Sequence, residues 1–600
     1  MEVFMTAKET LPVHKTKPED KIKFSQLAAY GAGGIIPIAL FNVAGILVGL
    51  MGNISLGLSA FWLGVILIVP RLWDAVSDPV IGHLSDNTRT RWGRRRPFLL
   101  IGGILVAFFF VVMWWIPKGE VAHGWFPTEA GFQAFQLVYI LISLLLFYTA
   151  TTIFEIPHGA LGMEMTTDYH ERTRLFSAKS FVGNLFAMST PWLFALANLE
   201  IFRGTGGNEA DGMRYVSLMV AGLIIPLSFW WTLKLREPGF KQVAKQEKTP
   251  FWTDMKHTAR NRNFIMLTLT IFTLAMGFNF VSLLGSYIPI FYVFGGDKVA
   301  GAYLLGINGT IWAITGVLAV FPLNWIAPKI GKRNTLAIAI LLMCLAQLSK
   351  IVCYNPNYPY LIIIPTVLLS AGMLFFFTLG SSMVGDICDE DDLKTGKRTE
   401  GSFYSVFWWF IKMGTALASF ITGALIVFTM FDETQVTKVD ALQGSIRELR
   451  KEVQSWQEST KPSNTYMELA EKARTKSSEL MTHLETRAQD TKKSKEHYLV
   501  IMQNMTGVNS RIASLDASMS SADLDNELEN IEKDIVPLTI QSPYTLLMMR
   551  VVEIGLPLLL SIFSVFFVLR YSLTEKRSHE IKEHIRQRNE EKANATESAI

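Results

Sequence analysis

Three charged residues stand in an apolar run near residue 70, where a segment buried in hydrocarbon would be expected to carry none. Residues 71 to 98 read "RLWDAVSDPVIGHLSDNTRTRWGRRRPF" and begin with Arg71, Asp74 and Asp78. Helical residues three and seven positions apart share a face, so these charges form one stripe. A charge at mid-bilayer costs about 2.5 to 3.5 kcal/mol on insertion scales and normally faces an interior cavity. The sequence therefore predicts a polar cavity beside this helix.

The paired carboxylates of Asp74 and Asp78 suit a cation, because hard cations take oxygen ligands and cancel the repulsion between like charges. Without a cation, that repulsion favours protonation of one carboxylate, so the pair equally suits a proton carrier. A third interpretation is a structural ion-pair network in which Arg71 neutralises one aspartate. The predicted coupling ion is sodium or a proton, and no resident cofactor or other metal is predicted.

A second polar group lies in "YTATTIFEIPHGALG", where Thr152 and Glu155 are three residues apart on one helix face. Pro157 is expected to kink the helix and free backbone carbonyls beside them. A hydroxyl and a carboxylate next to a kink can complete an oxygen cage for the cation or bind sugar hydroxyls. His158 is expected to be structural.

Two lysines are the remaining cations that we expect to be buried in the membrane, and each needs an anionic partner or a polar ligand. Lys179 lies close enough to the end of its run to extend to the interface, whereas Lys412 lies deeper. Aromatic faces near the charges can stack on a sugar ring, and the predicted substrate contacts among them are Trp73 and Trp409. The other aromatic residues near these charges are Tyr148, Phe154 and Trp408.

The composition predicts an all-α integral membrane protein. Half of the 600 residues are hydrophobic and only 18% are charged, while the net charge of +4 is too small and dispersed to indicate a nucleic-acid partner. Twelve runs are long enough to cross a bilayer as helices of roughly 20 residues. We place these spans at 27–51, 58–83, 97–117, 134–160, 176–199, 213–234, 264–293, 300–327, 334–354, 359–384, 402–430 and 544–570.

The distribution of basic residues predicts the topology. One set of loops holds Arg89 to Arg96, Arg172, Arg174 and the segment 235–262, whereas the opposite short loops carry only Lys118, Arg203 and Lys298. By the positive-inside rule, the first set of loops and both termini lie on the cytoplasmic side. The protein is predicted to lie in the inner (cytoplasmic) membrane of the cell. Six helices, a charged connection and six more helices predict two lobes with a substrate site between them.

A polar segment of more than a hundred residues interrupts this pattern between spans eleven and twelve. Its apolar residues recur at spacings of three and four, for example at Val439, Leu442 and Ile446, which predicts antiparallel helices packed outside the membrane. The segment is interpreted as a structural cap or self-association contact, or as a docking surface for a periplasmic or cell-surface protein. The predicted divisions are a cytoplasmic tail 1–26, a first lobe 27–234, a cytoplasmic linker 235–263, helices seven to eleven in 264–430, the outer insert 431–542, helix twelve in 543–570 and a cytoplasmic tail 571–600.

The run at 71 to 98 resembles the second helix and following loop of the glycoside-pentoside-hexuronide:cation symporters, the melibiose-permease branch of the major facilitator superfamily. The resemblance continues in "FEIPHGALGMEMTTDYHERTRLFSAKS" and "GDICDEDDLKTGKRTEGSFYSVFWWFIKMG". It covers nearly the whole chain except 432–542. It implies the major facilitator fold and cation-coupled sugar uptake by alternating access.

The resemblance also implies roles for individual residues. Asp74 and Asp78 match the aspartates that hold the coupling cation in melibiose permease, with Thr152 nearby. Glu155 matches a carboxylate used for sugar hydroxyls, Lys179 lies at or one residue from a basic sugar-binding position, and Lys412 matches a lysine near the cation site. Span one reads "GGIIPIA", without the charges of melibiose permease, so galactoside specificity is not implied.

The sequence therefore predicts a symporter in which the cation neutralises the aspartate stripe while Glu155, Arg71 and the lysines surround a polyhydroxylated ligand. A cytoplasmic gate of charge pairs is predicted from Arg94, Arg95 and Arg96 with Asp86, together with Asp386 and Asp389 of the other lobe. Two alternatives stay open: a cation-coupled carrier of another cargo such as a lysolipid, and a non-transporting sensor or assembly anchor that acts through the insert. An enzyme is not predicted, because the sequence shows no nucleophile, metal-ligand cluster or phosphate loop.

Overall fold

A computed structural model describes residues 21–597, except for 42, 45–47, 49–55, 57, 59, 119, 190–191, 194–195, 198, 204–208, 239–250, 286, 457–463, 491–493 and 516–519. The described residues are helical, with no strand beyond an isolated bridge between Thr90 and Gly93. The predicted all-α class is therefore confirmed. Most of the predicted N-terminal tail, much of the second half of span one, and the centre of the linker lie outside the described residues.

The first lobe begins with α1 (Phe24–Ala32), which continues as a π-helix (Ile35–Leu40). The longer helices of this lobe that follow are α2 (Ala60–Asn87), α3 (Arg96–Trp114), α4 (Glu129–Glu164), α5 (Tyr169–Ala187) and α6 (Glu209–Lys234). Short helical segments lie at Glu120–His123, Glu200–Arg203 and, before the second lobe, Phe251–Thr258.

The second lobe repeats this arrangement. Its helices are α7 (Arg262–Leu284), α8 (Lys298–Leu318), α9 (Lys332–Cys353), α10 (Ile363–Thr395) and α11 (Glu400–Phe428). After a bend of 43°, α8 continues as Val320–Ile330. Short helical segments occupy Ile288–Val293 and Pro359–Ile362.

The apolar helices match the dimensions of a bilayer. Among the residues that the structure describes, seven helices are long and apolar enough to cross a membrane. They are α3, α4, α6, α7, α9, α10 and, after the insert, α16 (Pro543–Leu569). The bent α8 with its continuation makes an eighth. The chain is a multi-pass membrane protein, and the number of twelve crossings stays a prediction.

Helix starts are fixed by polar caps that satisfy free backbone amides. Thr128 accepts a hydrogen bond from the amide of Gly131 at the start of α4, and Asn261 accepts one from Phe264 at the start of α7. The lobes then meet along two seams: α2 packs against α11, and α5 packs against α8 and α10. The predicted cavity lies between these seams.

The insert forms four helices between α11 and the last long apolar helix. These are α12 (Glu433–Gln454), α13 (Asn464–Asp490), α14 (Lys495–Ala513) and α15 (Ser521–Ile535), and they precede α16 (Pro543–Leu569) and the terminal helix α17 (Glu575–Glu597). The predicted stripes of α12, α14 and α15 are buried against one another and against α13, while Met519 lies outside the described residues. Sequence analysis missed α13, whose small buried side chains, Ala470, Ala473 and Ala488, give a weak apolar signal.

A buried aspartate ties the insert to the end of α11. Asp432 accepts hydrogen bonds from the amide of Gln435 at 2.9 Å, Arg487 Nε at 2.9 Å and Tyr498 Oη at 3.0 Å, and its Oδ1 lies 3.0 Å from His483 Nε2. Burial alone raises the pKa of this carboxyl. The bond from Gln435 and the charges of His483 and Arg487 outweigh burial and hold the pKa below its usual value of 3.8.

The insert is expected to loosen in acid. Because the folded-state pKa of Asp432 lies below its unfolded value, its stabilising contribution is fully present above pH 3.8 and is lost as the pH falls through the folded pKa. Asp432→Asn should destabilise the insert at neutral pH by about 2 kcal/mol, roughly 30-fold in local opening. Hydrogen exchange of α13 and α14 in the full chain measures this as a protection factor.

The control is Glu485→Gln, which changes an exposed carboxylate on α13. This variant should keep the protection and pH profile of the wild type. Equal protection of the wild type and Asp432→Asn at pH 7 would show that Asp432 does not stabilise the insert.

Candidate functional site

A cavity of about 1830 Å³ lies between the two lobes. Its wall is largely apolar and aromatic, with Phe278, Trp312 and Phe377 among the lining residues, whereas charged side chains gather around α2, α4, α5 and α11. We call the end of the molecule that holds loop 88–95, loop 396–399 and α17 the terminal face, and the opposite end, which holds the insert, the insert face. The predicted charged residues Arg71, Asp74, Asp78, Glu155, Lys179 and Lys412 all line this cavity.

The carboxylates of Asp74 and Asp78 are buried, and both contact the ammonium group of Lys412. Lys412 Nζ lies 2.9 Å from Asp74 Oδ2 and 2.7 Å from Asp78 Oδ2. Thr152 Oγ1 donates to Asp78 Oδ1 at 2.9 Å, which joins α4 to α2. Asp74 Oδ1 is buried and accepts no hydrogen bond from the described residues. The site therefore holds two carboxylates, one hydroxyl and one lysine from the other lobe.

The charge balance of this site suits one additional monovalent cation. With both carboxylates ionised, Lys412 is the one cationic side chain among the described residues that contacts them, so it neutralises one of their two negative charges. A sodium ion or a proton on the carboxylates would complete the neutralisation. Among the described residues Lys412, and not Arg71, contacts the two carboxylates, while the Arg71 guanidinium lies over the Phe41 ring.

A second polar group joins the lobes next to the cavity. Lys179 Nζ donates to Glu155 Oε1 at 2.7 Å, and the Tyr404 hydroxyl donates to the same oxygen at 3.0 Å. The Tyr404 ring lies against Gly159 of α4, where a Cβ would come 1.9 Å from a ring carbon. Glycine is therefore required for this close approach. Glu155 Oε2 is buried and has no hydrogen-bond partner among the residues described, so it is free to accept a ligand hydroxyl.

The remaining predicted contacts divide into two groups. The guanidinium of Arg71 lies 4.2 Å from the centre of the Phe41 ring, which positions it beside the cavity. The structure does not bring Trp73 or Trp409 to the cavity wall. Trp73 is 46% exposed on the outside of α2, and Trp408 lines the cavity in place of its neighbour Trp409. A one-residue shift rotates a helical side chain by about 100°, which explains the error.

Sequence analysis missed a third buried ion pair in the cavity wall. Lys350 Nζ of α9 lies 2.5 Å from Glu553 Oε1 of α16, and Tyr354 Oη donates to the same oxygen at 3.0 Å. Both charged residues lie within predicted spans, so the cost of an intramembrane charge was the signal that would have identified them.

The terminal face is closed by two clusters of buried charges. In the first, Arg94 Nη2 lies 2.8 Å from Glu164 of its own lobe and 2.7 Å from Glu400 of the other lobe. Arg95 contacts Asp86 and Glu164, and Asp86 accepts from the backbone amide of Gly401 at 3.0 Å. The close contact between the lobes also requires glycine, because a Cβ on Gly401 would lie 2.7 Å from the carbonyl oxygen of Gly82.

The second cluster joins α5 to α10. Arg172 donates to Asp386 at 2.5 Å and to Asp389 at 2.6 Å, and Lys332 lies 2.8 Å from Asp386. The predicted gate residues therefore occur in two clusters, which Arg398 links by contacting both Glu400 and Asp389. The arginine that contacts both Asp386 and Asp389 is Arg172 rather than one of the arginines at 94–96.

Arg96 lies apart from both clusters. Its guanidinium donates to the carbonyls of Thr232 and Trp92 in its own lobe. The predicted gate role of Arg96 is therefore not supported by the geometry. The position of Arg96 next to Arg94 and Arg95 in the sequence does not show which way its side chain points, because adjacent residues at a helix start point to different sides.

Comparisons with known proteins agree with this architecture. A family model described as MFS/sugar transport protein matches residues 29–449. The isoprimeverose transporter of Lactiplantibacillus pentosus is 27% identical over 375 residues, which cover 62% of this chain and 73% of that protein. The sodium-dependent lysophosphatidylcholine symporter 1-A of Danio rerio is 22% identical over 421 residues, which cover 64% of this chain and 74% of that protein.

A solved structure shares the fold. It is a bacterial homologue of the iron transporter ferroportin in an outward-facing state with soaked iron, with a TM-score of 0.51 and 10% sequence identity. The similarity covers 68% of this chain and 92% of that chain. At this identity the similarity concerns the fold alone.

Proposed function

Because the chain belongs to the MFS/sugar transport protein family, we propose that it carries a sugar or glycoside across the membrane together with sodium or a proton. Family membership makes the chain a secondary transporter and confirms the prediction that it is not an enzyme. The observation that carries the finer proposal is the contact of Lys412 with both Asp74 and Asp78 at the cavity. This contact supports the proposal, because two carboxylates with one neutralising ammonium lie beside the cavity, where a bound cation and a bound cargo could affect each other.

Coupling follows from the position of this site between the lobes. Asp74 and Asp78 belong to α2, whereas Lys412 belongs to α11 of the other lobe. A cation that shares the carboxylates weakens the hold of Lys412 and changes the contact between α2 and α11. Thr152 links Asp78 to α4, which also carries Glu155, so the cargo senses the same change. Such coupling is reciprocal: the cation raises the affinity for cargo by the factor by which cargo raises the affinity for the cation.

The closed clusters give the direction of access. The charge pairs of the terminal face seal the end of the cavity that the positive-inside rule makes cytoplasmic. With this end sealed, cargo and cation are proposed to load through the insert face, which the predicted topology makes external. Transport then requires the two charge clusters to separate while the contacts at the insert face close, which is alternating access.

The proposal is tested by uptake into proteoliposomes. A panel of mono- and oligosaccharides, including pentosides and glucuronides, is offered under a sodium gradient alone and then under a proton gradient alone. At least one sugar should accumulate above its external concentration with one of the gradients. Absence of accumulation for every sugar under both gradients would reject sugar symport.

Glu155 is expected to bind the cargo. Glu155→Gln should weaken binding of the best sugar of that panel at least tenfold, about 1.4 kcal/mol, because the neutral amide leaves Lys179 without its counter-charge and accepts weaker bonds. The concentration for half-maximal exchange measures the effect. Glu129→Gln, on the exposed start of the same helix, is the control and should behave as wild type. Unchanged binding by Glu155→Gln would remove this carboxylate from the cargo site.

One observation favours a second cargo. The cavity wall carries paired aromatic rings: Phe377 and Trp408 are stacked with centres 6.2 Å apart, and the Trp312 and Phe278 rings are tilted with centres 5.6 Å apart. An acyl chain fits such a wall, and one relative is named as a lysophosphatidylcholine symporter. The uptake panel therefore includes a lysolipid, and accumulation of the lysolipid with no sugar uptake would select this alternative.

A further inference from the structure

Three metal-binding side chains meet on the terminal face, outside the cavity and both charge clusters. His170 lies in the first turn of α5, whereas Glu575 and His579 lie in the first two turns of α17. Glu575 Oε1 is 3.0 Å from His170 Nε2 and 3.8 Å from His579 Nε2. The three ligand atoms all lie within 4.8 Å of one another. No step of the proposed transport cycle uses them.

The backbone holds this cluster in place from both sides. Glu575 and His579 are four residues apart and therefore share a face of α17. The helix cap Asp168 accepts a hydrogen bond from the amide of His170 at 3.0 Å and lies 3.3 Å from Lys582 Nζ, one turn beyond His579. The Tyr169 ring lies between the helices, 5.3 Å from the His170 ring and 6.2 Å from the His579 ring. The three ligands thus come from packed elements rather than from a free tail.

The ligand set matches the coordination chemistry of zinc. Two imidazoles and one carboxylate are the protein ligands of many zinc sites, with water at the fourth position. Zinc bonds of about 2.0 to 2.2 Å in a tetrahedron place neighbouring ligand atoms roughly 3.3 Å apart. The observed distances of 3.0 and 3.8 Å bracket that value. The side chains are 13 to 16% exposed, and the Nε2 atoms of His170 and His579 are buried inside the cluster.

We propose that His170, Glu575 and His579 bind a divalent transition-metal ion of the zinc class. The ion joins α17 to the first lobe. Further along α17, Arg588 donates to the backbone oxygen and to Oδ1 of Asp392, both at 2.8 Å, which joins the same helix to the second lobe. The metal therefore completes a strap across the two lobes on the face that the charge clusters close, and it stabilises the conformation that is closed there.

The sequence hides this site because its parts are far apart. His170 is separated by about four hundred residues from the pair on α17, and Glu-x-x-x-His on a polar helix is too common to indicate a ligand. The prediction that the chain has no metal-ligand cluster was made from local spacing, whereas this cluster forms only through the packing of α17 against α5.

Binding of zinc to the purified full chain, without an affinity tag, tests the proposal by equilibrium dialysis. The wild type should bind one Zn²⁺ per chain, and His579→Ala and His170→Ala should each weaken that binding at least a hundredfold. The matched control is His584→Ala, which removes an exposed histidine five residues further along the same helix and should bind as the wild type does.

Hydrogen exchange keeps the result independent of transport and of global folding. Zn²⁺ should slow exchange of the first turns of α17 in the wild type and in His584→Ala, and have no effect there in His579→Ala. Intact exchange protection elsewhere in the variant shows that it is folded. Absence of stoichiometric binding, retention of binding in His579→Ala and His170→Ala, or binding without protection of α17 would each overturn the proposal.

Discussion

Asp78→Asn is expected to abolish gradient-driven accumulation while it leaves exchange of cargo measurable. The asparagine has nearly the same shape as the aspartate and keeps one acceptor oxygen for Thr152, while Lys412 keeps its contact with Asp74, so the packing of α2 against α11 is kept. The variant site holds one carboxylate against one ammonium and needs no cation for neutrality. The steady-state ratio of internal to external cargo should therefore fall to about one, because cargo binding is no longer linked to the cation.

The measurement is accumulation in proteoliposomes under the gradient that drives the wild type, followed by exchange of labelled for unlabelled cargo. Asp525→Asn is a matched control, because this aspartate pairs with Arg450 on the insert, away from the cavity. The control should accumulate cargo normally. Equal accumulation by Asp78→Asn and the wild type would remove Asp78 from coupling.

Arg172→Gln is expected to open the terminal face. Its guanidinium is fully buried between the lobes and contacts Asp386 and Asp389. Removal of one partner from a buried ion pair costs about 3 to 5 kcal/mol, which is enough to shift a two-state equilibrium more than a hundredfold. The variant should therefore populate the conformation in which the terminal face is open.

Native Cys388 of α10 can report this opening, because its thiol is buried and it lies between Asp386 and Asp389 in the sequence. In a chain with Cys344 and Cys353 replaced by serine, Cys388 should react with maleimide at least ten times faster in Arg172→Gln. Glu400→Gln, which removes the negative charge that Arg94 contacts in the other lobe, should act in the same direction.

The control for the gate is Arg96→Gln. Arg96 stands beside Arg94 and Arg95, but the hydrogen bonds of its guanidinium to the described residues stay within its own lobe. Its maleimide rate should equal that of the parent chain. A gate role for Arg172 would be contradicted if Arg172→Gln, with an unchanged melting temperature, were labelled no faster than Arg96→Gln.

The sequence predicted those features that depend on the cost of charge in a membrane. The stripe of Arg71, Asp74 and Asp78 had to face a cavity, and the structure brings all three to its wall. The insert was predicted because spacings of three and four residues specify a helix face. These inferences are local. They need only the helical repeat and the preference of charged side chains for polar surroundings and of apolar side chains for burial.

Pairings between lobes could not be predicted in the same way. Lys412 contacts residues more than three hundred positions away, and Arg172 of α5 contacts Asp386 of α10 in the other lobe. Helical periodicity says which residues share a face but not which helix that face meets. Trp73 and Trp409 were misplaced for the same reason, because a charge nearby in sequence does not fix the rotation of a helix against its neighbours.

Lys412 and the coupling cation are proposed to compete for the carboxylates of Asp74 and Asp78. Intrinsic tryptophan fluorescence of the purified chain, titrated with sodium against choline at constant ionic strength and separately with acid, measures the midpoint of cation binding. In Lys412→Gln the midpoint for the coupling ion should move to at least tenfold lower cation activity, about 1.4 kcal/mol, because one opposing charge is gone. An unchanged midpoint, or one shifted to higher cation activity, would contradict the account.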